Sequence, residues 1–226
     1  SRAIVINHAD SPLGAGWGLA GLQRAYPQPD GTVLVADGEG VATVFRPGPM
    51  LDVVTANTTF GDISVFFGHG DGTFQTELPV RASTGPSITP SDIAIGDFNG
   101  DHLADLAVAL LSPEEVSILL SEGRAFAPPQ PVSAGPSPFA LELGDFNEDD
   151  AQDLVVMSIG ANTLTVLLGD GAGSFQPQPA VPVGTSPRAL VVADLNADTH
   201  MDVAVANNGS GDISILLVED NPITQK

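Results

Sequence analysis

Residues 92–105 read DIAIGDFNGDHLAD, in which an alternating apolar segment runs into a loop with an acidic or amide side chain at residues 97, 99, 101 and 105. The same arrangement returns as ALELGDFNEDDAQD at 140–153 and as ALVVADLNADTHMD at 189–202. The three copies follow one another at intervals of 48 and then 49 residues. A fixed period of this length is typical of a repeat architecture, in which each copy forms one small structural unit.

Two further segments recur with these loops and predict the strands of each unit. A short apolar segment that begins with aspartate occurs four times, at Asp52, Asp105, Asp153 and Asp202. An alternating segment typical of a half-buried strand follows each of them, at 62–67, 115–120, 163–168 and 212–217. Glycine-rich turns and proline-containing stretches come next. Because proline cannot donate a backbone hydrogen bond, the fourth strand is predicted to lie at the outer edge of the sheet.

Four short strands per copy predict an all-β fold, a β-propeller of about four blades with four antiparallel strands each. Radial repetition suits such units because it leaves only short sheet edges exposed. The alternative is a flat β-sandwich that contains an accidental duplication. The regular period favours the propeller.

The three acidic loops share the pattern Asp-x-Asn-x-Asp-x-x-x-Asp and predict metal sites. Odd spacing in a tight loop directs alternate side-chain oxygens to one point, and position seven adds a backbone carbonyl. Six or seven oxygens suit Ca²⁺, whereas Mg²⁺ would keep fewer protein ligands and more water. Crowded carboxylates repel one another unless a cation neutralises them. The predicted ligands of about three calcium ions are Asp97, Asn99, Asp101, Leu103, Asp105, Asp145, Asn147, Asp149, Ala151, Asp153, Asp194, Asn196, Asp198, His200 and Asp202.

The loop pattern also has a simpler interpretation and one exception. Asp, Asn and Gly gather wherever a strand turns, so a single loop would be weak evidence and the three copies in register carry the prediction. The first copy reads VFRPGPMLD at 44–52, and its site is expected to lack a metal. Position six of the acidic loops, where glycine is common, is occupied by His102, Asp150 and Thr199. The turn is therefore predicted to form without glycine.

The composition limits the partners of the chain. With 28 Asp and Glu against 7 Lys and Arg, the net charge of −21 repels nucleic acid and anionic membranes and attracts divalent cations. The absence of cysteine excludes disulfides and thiolate metal sites. No apolar run approaches the roughly 20 residues that span a bilayer, so membrane insertion is not expected. For an exported protein, the signal peptide is expected to have been removed.

Two stretches resemble the FG-GAP/VCBS repeat family: DFNGD at 97–101 with the strand that follows it, and LLGDGAGSFQ at 167–176. The resemblance runs from about residue 44 to 218. Because the family is similar to the integrin α-subunit head and several lectins, it implies propeller blades with calcium in the loop between their first two strands. It also implies adhesion or recognition outside the cell. Residues 11–22, SPLGAGWGLAGL, resemble a segment of Rhs/SpvB-like bacterial surface proteins, which implies a bacterial, exported origin.

We divide the chain into an N-terminal strand and hairpin segment at 1–38, the repeat propeller at 39–220 and a tail at 221–226. The hairpin is predicted to turn at 28–32. The last repeat stops soon after Leu217 without an outer strand. The apolar residues 3–7 are therefore expected to complete this blade, within one chain or by strand donation to a neighbouring subunit.

The sequence favours a calcium-binding recognition or adhesion module that binds a protein or glycan ligand at the cell surface. The alternative is a structural subunit that self-associates into a surface assembly or filament by strand exchange. A carbohydrate-active enzyme is a third reading, but the sequence nominates no catalytic dyad, nucleophile elbow or phosphate-binding loop. We expect a non-enzymatic protein with an extracellular or cell-surface location.

Overall fold

The computed structural model describes most of the chain, and every regular element in the described part is a β-strand. The described residues are 24–27, 33–36, 41–45, 52–58, 61–69, 73–75, 78–85, 87–218 and 224–225. Within these ranges no helix is long and apolar enough to cross a membrane. The all-β prediction is confirmed.

Nineteen strands are present in the described ranges, and their pairs are all antiparallel. Their bounds are β1 Arg24–Pro27, β2 Val33–Ala36, β3 Val41–Phe45, β4 Asp52–Asn57, β5 Asp62–Phe66, β6 Leu78–Val80, β7 Pro90–Gly96, β8 Asp105–Leu110, β9 Glu115–Leu119, β10 Gln130–Val132, β11 Pro138–Gly144, β12 Asp153–Ser158, β13 Thr163–Gly169, β14 Phe175–Pro177, β15 Val181–Pro182, β16 Pro187–Ala193, β17 Asp202–Asn207, β18 Asp212–Leu217 and β19 Thr224–Gln225.

These strands form four sheets, each with its strands in chain order, as propeller-type blades require. The first sheet runs from β1 to β6, the second from β7 to β10 and the fourth from β16 to β19. In the third sheet β14 and β15 both pair with β13 and share the outer position. The proline-containing strands β6 and β10 lie at the outer edges of their sheets, as predicted, because Pro79 and Pro131 cannot donate to a further strand.

The two ends of the repeat region each add an element. β1 and β2 form the predicted hairpin, and β2 pairs with β3, so the hairpin extends the first sheet. β19 pairs with β18 through Leu216↔Gln225 and Leu217↔Thr224 and is the fourth strand of the last blade. The expectation that this blade lacks an outer strand is wrong, because a two-residue strand is enough to pair with that edge. Residues 3–7, the segment expected there, lie outside the described residues.

Successive blades pack face to face. We call the face toward the preceding blade the near face and the face toward the following blade the far face. Alternation along β8 sends Leu106 and Val108 to the near face and Ala107 and Ala109 to the far face, and all four are fully buried. One apolar cluster fills each of the three junctions between the four blades.

Two partly buried carboxylates lie where the first strands of successive blades meet. Asp92 on β7 accepts hydrogen bonds from the N–H groups of Ile93 and of Leu141 in the next blade, both at 2.9 Å. Burial raises the pKa of Asp92 to about 6, although both N–H bonds act against the shift. Burial, with the nearby charge of Asp92, raises the pKa of Glu142 to about 7. At neutral pH this pair therefore opposes folding.

The sign of the pH dependence follows from the raised pKa values. Between the ordinary glutamate value of 4.5 and the folded value of about 7, the folded protein binds more protons at Glu142 than the unfolded chain. The contribution of this group to stability is therefore greatest at low pH and is lost as the pH rises through about 7. The variant Glu142→Gln keeps the shape of the protonated side chain without a charge. We expect it to raise the free energy of unfolding above pH 7 by about 3 kcal/mol and to have little effect below pH 4.5.

Denaturant unfolding of both proteins across this pH range measures the effect. Glu122→Gln is the matched control, because Glu122 is exposed in a turn and its substitution leaves the buried pair intact. If Glu142→Gln and the parent protein lose stability equally as the pH rises, the raised pKa of Glu142 is wrong.

Candidate metal centres

The first acidic loop wraps its backbone around the side chain of Asp97. The Oδ1 atom accepts the N–H groups of Gly100 and Asp101 at 2.8 and 3.2 Å, and the Oδ2 atom accepts the N–H of His102 at 2.9 Å. These bonds hold three consecutive peptide groups around one carboxylate. A side chain with this many local partners determines the shape of the loop.

The other two loops repeat this arrangement position by position, counting the first aspartate as position one. Asp145 and Asp194 both accept the N–H groups of positions five and six. In all three loops the asparagine at position three donates its Nδ2 to the aspartate at position five, at 2.7–3.0 Å. That aspartate in turn accepts the N–H of position seven. The loops therefore share one conformation although the residues between these positions differ.

The loop backbone enters the left-handed region twice. As predicted, position six does so without glycine, with φ of 65°, 65° and 79° at His102, Asp150 and Thr199. Position four does so as well, with φ of 74°, 58° and 64° at Gly100, Glu148 and Ala197. Residues other than glycine disfavour the left-handed region, because their Cβ atom crowds the backbone there. The hydrogen bonds to the aspartate at position one must offset this backbone strain.

The aspartate at position nine has a role that the metal pattern did not predict. Asp105 is fully buried, and its two oxygens accept the N–H groups of Phe98 at 2.9 Å and Ser121 at 2.7 Å. Asp153 and Asp202 make the same pair of bonds, one to position two of the loop and one to the residue sixteen positions further along the chain. Each therefore ties the start of its loop to the end of the third strand.

The first blade keeps this contact without an acidic loop. Asp52 is buried and its Oδ1 accepts the N–H of Gly68, again sixteen residues further on. Positions one, three and five of that copy are Val44, Arg46 and Gly48, none of which offers a side-chain oxygen. The aspartate is thus retained where no metal is expected. We call the four residues the clasp aspartates: Asp52, Asp105, Asp153 and Asp202.

Two of the clasp aspartates, Asp105 and Asp153, are electrostatically linked to their loops. Burial raises the pKa of Asp52, Asp105 and Asp153, while their bonds to backbone N–H groups act in the opposite direction. At Asp105 and Asp153 the carboxylates at positions one and five of the same loop raise the pKa further. The loop charges therefore act against the clasp, and a bound cation would reduce that repulsion.

The structure places the donors predicted at positions one, three, five and seven of each loop on one turn at the surface but does not draw them into a closed cage. The donors predicted at position nine, Asp105, Asp153 and Asp202, are fully buried beneath that turn. Among the described residues, no three carboxylate or imidazole side chains are grouped closely enough to hold a metal ion by themselves. What the loops do offer is hard-oxygen chemistry, with two carboxylates, one amide oxygen and one backbone carbonyl within seven positions. A carboxylate has about four lone-pair sites, so Asp97 can accept its three N–H bonds and still coordinate a cation. This donor set fits Ca²⁺.

His200 connects the acidic loops of the third and fourth blades. Its Nε2 lies 3.1 Å from a carboxylate oxygen of Glu148, and its Nδ1 lies 3.2 Å from Oδ1 of Asp198. Desolvation acts against the charge of Asp198, but bonds from the His200 N–H and from Asn196 outweigh it and lower the pKa of Asp198. The sequence predicted only a backbone carbonyl role for His200. Its side-chain contact depends on how two blades sit side by side.

The residue before each loop and the residue at position two form a packed pair. A Cβ atom at Gly144 would lie only 2.8 Å from the ring of Phe146, so glycine is required there. In the fourth blade Ala193 stands in place of the glycine and Leu195 in place of the phenylalanine. The side chain of Leu195 is smaller than a phenylalanine ring, which leaves room for the methyl group of Ala193. The ring of Phe146 is buried, and the backbone N–H of the same residue donates to the clasp aspartate Asp153.

Solved structures with a similar fold share little sequence with this chain. A candidate 6-phosphogluconolactonase from Bacteroides uniformis gives a TM-score of 0.63 at 14% identity, with 89% of this chain and 69% of that chain covered. A protein from Lactobacillus plantarum gives 0.61 at 16% identity, with 91% and 70% covered. The Vibrio cholerae biofilm matrix protein Bap1 gives 0.52 at 16% identity, with 84% and 28% covered. These likenesses support the fold.

The family follows from the repeats themselves. No curated protein matches the chain. The model of the FG-GAP-like repeat matches residues 50–108 and 145–205, more than half of the 226 residues. The matched regions contain all three acidic loops and all four clasp aspartates. The chain therefore belongs to the FG-GAP-like repeat family.

Proposed function

We propose that this chain is a calcium-binding recognition or adhesion module that acts outside the cell and has no catalytic activity. FG-GAP repeats are typical of extracellular proteins, and the family is generally non-enzymatic. The observation that carries the proposal is the common conformation of the three acidic loops, which present the same donors on successive blades. Bap1, one of the structures with a similar fold, is a biofilm matrix protein, a role of the same class.

In each site the ligands would be the side chains at positions one, three and five and the carbonyl at position seven. In the first loop these are Asp97, Asn99, Asp101 and Leu103. The clasp aspartate at position nine adds negative charge close by, since the loop carboxylates are near enough to raise the pKa of Asp105 and Asp153. Bound Ca²⁺ would supply positive charge that neutralises the loop carboxylates and relieves their repulsion of the clasp.

The loops also suggest how a ligand is held. Four or five protein oxygens leave part of the coordination shell of Ca²⁺ to water, because this ion takes six to eight ligands. A carboxylate of a protein ligand or neighbouring hydroxyls of a glycan can replace such water. All three loops join the first and second strands of their blades, so they lie along one edge of the molecule and form an acidic rim. We propose this rim as the contact surface for a protein or glycan at the cell surface.

Calorimetric titration with Ca²⁺ tests the metal sites. We expect about three ions per chain and, for the paired variant Asp145→Ala/Asp149→Ala, about one ion fewer. One occupied site stabilises the fold by about 2.7 kcal/mol at a hundredfold excess over its Kd, equivalent to roughly 5–10 °C in Tm for a chain of this size. No bound calcium and an unchanged Tm in chelator would contradict the proposal.

The clasp and the loop can be separated by a pair of variants in the same repeat. Asp153→Ala leaves two buried backbone N–H groups without acceptors, so we expect it to lower the free energy of unfolding by about 2–5 kcal/mol even in chelator. Asp145→Ala removes a partly buried proposed ligand whose N–H partners lie in an exposed turn and can bond to water instead, so in chelator we expect a smaller loss of about 1 kcal/mol. Denaturant titrations with and without calcium measure both. Equal losses in chelator would show that position nine has no separate structural role.

Recognition is tested by binding of the chain to a glycan array and to whole bacterial cells. We expect binding in calcium that is lost in chelator, because the ion both neutralises the acidic rim and supplies the open coordination positions. The variant Asp145→Ala/Asp149→Ala should bind more weakly while remaining folded. Binding that is equal in calcium and in chelator would contradict a role of the rim.

A further inference from the structure

The far face of the fourth blade is an exposed apolar surface. Among the described residues, the large hydrophobic side chains with substantial exposure are all in this blade, and three of them lie on the far face, with Ile213 at 67%, Val191 at 51% and Leu195 at 46%. Ile213 and Val191 lie in its third and first strands, so the surface crosses the sheet. An apolar patch of this kind marks an interaction site.

Comparison with the equivalent residues of the other blades indicates what kind of surface this face fits. The residues at the position of Ile213 in the second and third blades are Val116 and Leu164, and both are buried by the blade that follows. The residues equivalent to Leu195 in the second and third blades are Phe98 and Phe146, and both are buried in the same junctions. The exposed face is thus equivalent to faces that the near face of another blade covers within this same chain.

The first blade offers a matching near face. In the second, third and fourth blades, the near-face residues at the positions of Val53 and Phe66 are fully buried in the junctions. Val53 and Phe66 themselves are only partly buried. Between them lies Thr55, a β-branched residue where the other blades have valine. Because none of these side chains is charged, covering them does not bury a charge.

We propose that two copies of this chain associate head to tail, with the far face of the fourth blade of one copy packed on the near face of the first blade of the other. Among the described strands, those of the first sheet do not pack along those of the fourth within one copy. Such a junction joins two different surfaces, so it is a heterologous interface. If the rotation that relates the two copies closes, a dimer forms two such junctions and both faces of each copy are covered. Two copies contribute about eight blades, at the upper end of the common size of propellers.

This junction is a contact between sheet faces and differs from the strand exchange considered from the sequence. Its test does not rest on the proposed calcium function, because the substituted residues Ile213, Val53 and Phe66 lie on strands outside the acidic loops, and only Leu195 of the far face belongs to a loop. The assembly is therefore expected in calcium and in chelator alike, which separates its test from the test of the metal sites.

Analytical ultracentrifugation and light scattering over a range of concentrations test the proposal. We expect the parent chain to have twice the mass of a single copy. Ile213→Glu on the far face and Phe66→Glu on the near face should each give monomers. Gln176→Glu, which adds the same charge at an exposed position on β14, should remain paired. Circular dichroism confirms that each variant is folded, and Val53→Glu replaces Phe66→Glu if that variant is not.

Mixing the two monomeric variants gives the decisive result. The Ile213→Glu copy keeps an intact near face and the Phe66→Glu copy keeps an intact far face, so one good junction can form between them and a heterodimer should reappear. If the parent chain forms assemblies larger than a dimer, their loss in the Ile213→Glu variant would also support the junction. A parent chain that is monomeric at all concentrations, an Ile213→Glu variant that stays paired, or a mixture that remains monomeric would overturn the proposal.

Discussion

A buried aspartate at the start of the second strand is the contact on which every blade depends. In the third blade, Asp153 accepts the N–H of Phe146 and the N–H of Gly169, both at 2.8 Å. A buried carboxylate is costly unless its oxygens are hydrogen-bonded, and these two bonds supply the compensation. They also connect three parts of the blade that are far apart in sequence. The acidic loop is therefore presented by a fixed frame and can vary without loss of the blade.

The clasp explains how the loops could affect the whole fold. The loop carboxylates lie near enough to raise the pKa of Asp105 and Asp153, so any change in loop charge is felt in the interior of the blade. A cation at the loop would act on stability by this electrostatic route as well as by mass action. The first blade, which has Asp52 and no acidic loop, is free of this repulsion. The electrostatic cost is seen at Asp105 and Asp153, in two of the three blades for which a metal is proposed.

Sequence reasoning succeeded where a local rule determines the structure. The position of β10 at a sheet edge follows from Pro131, and the four-strand blades follow from the period. It failed where the structure depends on contacts between distant parts. The contact between His200 and Glu148 requires two blades to lie side by side, and β19 is too short to show a strand pattern. The clasp could have been found, since the first repeat keeps Asp52 after losing every other acidic position. The calcium ligands and the partner stay predictions.

The fourth blade carries on its far face the kind of residue that the other blades bury in their junctions. Units that cap a repeat array have a polar outer face, because an interior face left in water lowers solubility. Ile213 is apolar, as are Val116 and Leu164, its counterparts in buried junctions. Asn207 corresponds to Leu110 in the second blade and is buried. Its side chain donates to Asp212 and Ser214, so this polar group is hydrogen-bonded within the blade. The fourth blade therefore has the construction of an interior blade, and a near face of the same kind is the surface that matches it.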